Sequence, residues 1–138
     1  MKKLLSVATM LMITLLLAAG LFACTKRDSY TLTAAEVSKA YTDAGFTVAA
    51  NSAITADGLL QAYIVTKTDS SSSLSACVII FKNSDAMSAY NQGKSYTSGT
   101  QNVLIITMMA NGAPITNLND NNAIAIAKPV KDLADSKK

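Results

Sequence analysis

Two thiols, Cys24 and Cys77, are the strongest potential nucleophiles in the chain, and they stand in opposite surroundings. Cys24 follows Leu21-Phe22-Ala23 at the end of a long uncharged run, and Thr25, Lys26 and Arg27 come after it. Cys77 lies between Ala76 and Val78 inside an apolar segment. A buried thiol without a cationic neighbour stays protonated and inert, so Cys77 reads as a small core residue. Its functional alternative is an intermolecular disulfide in an oxidising compartment. Histidine is absent, which removes a principal zinc ligand and the usual base for a serine nucleophile. Ser38 adjoins Lys39, but adjacent residues on a helix face different ways. Gly93-Lys94-Ser95 has the ending of a phosphate-binding loop, yet Ser88 stands where the first glycine belongs. Asn117, Asn119, Asp120 and Asn121 have the polarity of a calcium loop. Asn122 replaces its turn glycine, however, and Lys128 its final glutamate. No catalytic residue, no cofactor and no metal site is therefore expected.

The first 24 residues are more informative. Lys2 and Lys3 open the chain, and Leu4 to Ala23 carries no charge. A basic start followed by an apolar run is the form of an export signal. The run is also about as long as a bilayer-spanning helix, which takes roughly 17–25 residues, so an uncleaved anchor is the alternative. Leu21-Phe22-Ala23-Cys24 resembles the lipobox of bacterial prolipoproteins: an aliphatic residue, a tolerant position, a small residue, then cysteine. Phe22 is bulkier than the usual occupant of its position. The resemblance implies that diacylglycerol alkylates the Cys24 thiol and that the signal is cut between Ala23 and Cys24. Cys24 would then be the mature N-terminus and the membrane attachment. Two or more acyl chains hold a protein stably, at about 0.8 kcal/mol per buried methylene. The implied location is the cell membrane or outer membrane, lipid-anchored and facing outside the cytoplasm.

Removing the leader changes the charge. Without Lys2 and Lys3 the 12 basic residues become 10, against 9 acidic, a net of +1. A near-neutral chain without clustered Lys and Arg gives no electrostatic reason to expect nucleic acid as a partner. Lys26 and Arg27 beside the anchor read as a solvated linker, or as weak attraction to anionic lipid. Thr25 to Thr31 form a linker that reaches about 25 Å when extended.

The elements beyond the linker follow from pattern. Thr33 and Glu36 fit a capping box, with Leu32 and Val37 placed as a hydrophobic staple. Val37, Ala40, Tyr41 and Ala44 make one helical stripe, and Gly45 ends it. Phe46 to Ala50, Leu59 to Thr68 and Leu74 to Phe81 read as strands, the last two as a hairpin around Asp69. Cys77 to Phe81 is continuously apolar and belongs in a strand covered on both faces. Ser84 is the expected cap of a second helix, with Ala86, Met87 and Tyr90 inward and Gly93 at its end. Gln92 to Gln101 reads as a loop. Val103 to Met109 is a fourth strand, with Met108 and Met109 on opposite faces. Asn111-Gly112 marks a turn. Leu118, Ile126, Val130 and Leu133 can share a helix face, while Ala123 to Ala127 also alternates as a short strand would. The favoured reading is a last helix from about Asn119, interrupted near Pro129, with a frayed tail from Asp135.

These readings predict an α+β fold. It would be a small two-layer domain over residues 32–134, with a mainly antiparallel four-stranded sheet and helices in the order α-β-β-β-α-β-α. The expected function is a small lipid-anchored envelope lipoprotein that is not an enzyme. It would bind an envelope protein partner or a small ligand. A structural subunit of a membrane-associated complex is the alternative, with a hydrolase behind it.

Overall fold

The capping box forms as its sequence requires. In the computed structural model, which describes residues 31–138, the Thr33 hydroxyl accepts from the Glu36 N–H at 3.2 Å. The Glu36 carboxylate in turn accepts from the Thr33 N–H at 3.0 Å. Helix α1 (Ala34–Asp43) follows, and Leu32 and Val37 are buried in one cluster. Gly45, at φ +90°, closes the helix in a Schellman turn. Its N–H donates to the Thr42 carbonyl, and the Phe46 N–H donates to Tyr41 at 2.9 Å. The Phe46 ring packs edge-on against Tyr41 with centroids 5.2 Å apart.

Strands β1 (Thr47–Ala50), β2 (Leu59–Thr68) and β3 (Ser73–Phe81) form an antiparallel meander. Asp69 builds the β2–β3 turn by accepting from the backbone N–H groups of Ser71 and Ser72. Those bonds hold its carboxyl below the ordinary aspartate range, with the Ser71 and Ser72 hydroxyls adding to the effect. A carboxyl depressed in the folded state stabilises above its unfolded value, and the contribution is lost as pH falls through the folded one. Thermal melts between about pH 7 and pH 2 should therefore show a loss below about pH 4 that is smaller in Asp69→Asn. Identical pH profiles would show that the turn does not depend on this charge.

Helix α2 (Ser84–Asn91) is capped by Asn83 rather than by Ser84, with the Asn83 side chain accepting from the Ala86 N–H at 2.8 Å. Asparagine and serine are comparable caps, and the chain enters the helical conformation at Ser84, one residue earlier than a Ser84 cap would allow. Strands β4 (Ser98–Thr100), β5 (Val103–Ala110) and β6 (Ala113–Pro114) come next, before helix α3 (Asn121–Ser136). The sheet order is β1-β2-β3-β5-β4, with β6 also on β5, and every pairing is antiparallel.

The α+β class and the antiparallel sheet are as expected, and three details are corrected. The sheet has six strands rather than four, giving the order α-β-β-β-α-β-β-β-α. The additions, β4 and β6, are held by backbone pairing and are too short to carry an apolar alternation. β4 lies in the stretch read as a loop. The helices occupy both faces of the sheet, so the domain is not two-layered. Helices α1 and α3 cover Ala76, Val78, Ile80, Val103 and Ile105 on one side. Helix α2 and the β1–β2 loop cover Cys77, Ile79, Phe81 and Leu104 on the other. The doubly apolar β3 requires this arrangement.

The third correction concerns α3, which runs unbroken through Pro129 and on to Ser136, past Asp135. Its N-cap is Asp120, which accepts from the Asn122 N–H at 2.8 Å. Proline removes one backbone donor and crowds the preceding turn. The buried Tyr41 hydroxyl donates to the Ile126 carbonyl in that turn at 2.8 Å, and Pro129 itself is buried. Tertiary contact therefore holds a helix that local sequence would break. At its far end Lys137 pairs with Glu36, and Leu118 lies outside the helix, 43% exposed.

Candidate functional site

A β-bulge in β5 creates the most unusual backbone in the domain. Cys77 faces Ile106 and Ser75 faces Met109, so two β5 residues, Thr107 and Met108, oppose one residue of β3. Thr107 takes φ +53°. A β-branched side chain is rarely found in this left-handed region, and strain of about 1–3 kcal/mol persists only when the surroundings enforce it. The bulge shifts the alternation by one, which turns Met108 into the α1–α3 core at 3% exposure. Met109 lies on the other face beside Thr107.

Across from the bulge, the loop after α2 carries a second left-handed residue, Tyr96, at φ +57° and 53% exposed. The two segments bound an open groove of about 430 Å³. Its walls include Tyr90, Lys94, Tyr96, Ile106, Met109 and Pro114. The ring of Tyr90 rests against Phe81, centroids 5.5 Å apart. The Lys94 ammonium stands 4.6 Å from the centre of the Tyr90 ring. The groove is thus apolar, with hydroxyl groups at its border and one cation.

A larger groove of about 570 Å³ lies at the other end of α2, among Asp57, Gly58, Lys82, Asn83 and Asp85. Its charges are mixed and Asn83 is occupied as the helix cap. A side chain at Gly58 would come within 2.8 Å of the Ala86 Cβ. Close packing of a turn onto a helix accounts for that region without a ligand.

The sequence-derived candidates disperse. Ala23 and Cys24, the expected cleavage and lipidation positions, lie outside the described residues. Cys77 is buried at 8% exposure. Burial pushes its thiol up, and a 3.6 Å hydrogen bond from the Asn51 amide opposes that shift. Lys39 pairs with Asp43 at 2.5 Å, away from any serine nucleophile. Asn117 accepts from the Asn119 N–H and Asp120 caps α3, so the suspected calcium loop spends those side chains on backbone. Lys94 and Ser95 lie in the α2–β4 loop and border the groove. Tyr96 and Thr107 had no distinguishing sequence signal, because neither is a residue type that announces positive φ. Among the described residues, no three His, Cys, Asp or Glu side chains gather as a metal site would need. Nor is any described helix long and apolar enough to cross a membrane.

No protein-family model, curated protein or solved structure matches the chain.

Proposed function

We propose that the chain is a lipid-anchored lipoprotein of the bacterial envelope, and that its exported α+β domain is a binding module rather than an enzyme. The observation that carries the location is the coincidence of Lys2 and Lys3, an uncharged run and Leu21-Phe22-Ala23-Cys24 at the spacing of a lipobox. Cys24 is the lipidated residue, cleavage falls between Ala23 and Cys24, and the short linker keeps the domain near the bilayer. The groove beside the β5 bulge supports the binding role. It has an apolar wall, a few polar groups and a size within the usual range of about 300–1,000 Å³ for small-ligand sites. Enforced strain at Thr107 and Tyr96 is the kind that collects at ligand sites. The side chains lining the groove offer contact surface and one ammonium, not a paired nucleophile and base.

Envelope fractionation tests the anchor. The native chain should sediment with membranes and resist washing with high salt and alkaline carbonate. Cys24→Ala should block processing and leave the unlipidated precursor with its leader attached. A native chain that salt alone releases would overturn this reading.

A further inference from the structure

Lys94 is the one charged residue among the described residues that line the groove. Elsewhere among the described residues Lys39, Lys128 and Lys137 pair with Asp43, Asp132 and Glu36, and Lys67, over the Phe46 ring, donates to the Ala44 carbonyl. Lys94 lies over the Tyr90 ring, and among the described residues no carboxylate pairs with it. The ring contact holds the ammonium at the groove wall, since an aromatic face attracts a cation while leaving its N–H donors open to a further acceptor. Tyr90 is itself positioned by Phe81, so the cation is tied through one aromatic contact to the buried sheet.

The opposite wall is of different character. Ile106, Met109 and Pro114 are apolar, and methionine's unbranched thioether adapts to flat or irregular surfaces. An inorganic anion would use the lysine and leave this wall wet. A neutral apolar molecule would use the wall and leave the lysine unpaired. Only a ligand with both parts satisfies both sides.

We propose that the groove takes a small, freely diffusing organic anion, its flat or alkyl body against Ile106 and Met109 and its single carboxylate or sulfonate on Lys94. The inference rests on the reading of this groove as the binding site, and it adds the chemical class of the ligand.

Naphthalene-2-carboxylate and its neutral counterpart, naphthalene-2-carboxamide, separate the two contributions, since they share one apolar body. Binding is measured by equilibrium dialysis of the native chain in phosphatidylcholine vesicles, with empty vesicles subtracted. The carboxylate should bind about ten-fold more tightly than the carboxamide, as one charge-assisted hydrogen bond provides. Lys94→Met, which keeps the length and removes the charge, should abolish that preference and leave carboxamide binding unchanged. Met109→Trp, which fills the groove, should weaken both probes. Equal binding of both probes by the native chain would overturn the anion assignment and leave the groove as an apolar site. Binding of neither probe, or binding that Met109→Trp does not alter, would remove the groove reading together with the inference.

Discussion

Asn102→Ala should lower the folding stability of this domain by about 3 kcal/mol, more than any other single polar substitution in it. Asn102 is 1% exposed and is the only buried polar residue among those described. It stands in the two-residue turn between Thr100 and Val103. Its amide nitrogen donates to the Leu32 carbonyl at 2.8 Å and to the Phe81 carbonyl at 2.7 Å. Its oxygen accepts from the Leu32 N–H at 2.7 Å. Alanine would strand all three backbone groups in a dry setting, and each unsatisfied buried group costs about 1–3 kcal/mol. The same side chain fastens the start of the domain, Leu32, to the sheet some 70 residues away in sequence. Denaturant unfolding checks the figure. Asn102→Asp should be at least as damaging, because a carboxylate cannot donate to the two carbonyls. A loss under about 0.5 kcal/mol would mean that water replaces the amide.

Phe81→Ala should cost about 3–5 kcal/mol, the range for emptying a fully buried aromatic site. Phe81 is 0% exposed at the end of the central strand, on the side covered by α2. Stability in a domain of this size is about 5–15 kcal/mol, so the loss would consume a large share of it. The effect reaches the groove as well, since Phe81 supports the Tyr90 ring over which Lys94 lies. Phe81→Leu should retain most of the stability and still loosen Tyr90. Equal stability of Phe81→Ala and the native chain would show that α2 collapses into the gap. That outcome would remove the rigid support on which the groove depends.

The clearest parts of the fold in the sequence were those in which local signals agree with tertiary packing. Thr33 and Glu36 are a capping box in sequence and in space, and the same holds for Gly45 as helix stop and for the β2–β3 hairpin around Asp69. Pro129 is the opposite case. Its local preference is real, but burial and the Tyr41 hydroxyl at Ile126 override it. β4 has no side-chain signature in the sequence, because Ser98-Gly99-Thr100 pairs through its backbone, which any residues can do. Covering both faces of β3 was legible from Cys77 to Phe81, and that observation already argued against placing all helices on one side. The groove was not legible. It joins the α2–β4 loop to a bulge in β5 and to the segment after β6. Long-range pairing sets its shape, and Thr107 gives no local hint of the left-handed turn it must make. In the sequence Lys94 stands out only as part of an incomplete phosphate-loop motif. Its position over Tyr90 depends on how α2 docks.

The proposed attachment to lipid is best tested by the mass of the N-terminal peptide of the natively expressed protein. The chain should begin at residue 24, with a diacylglyceryl thioether on that sulfur and the preceding 23 residues gone. A peptide that still begins at Met1, or a free thiol at position 24, would contradict the anchoring on which the envelope role is built.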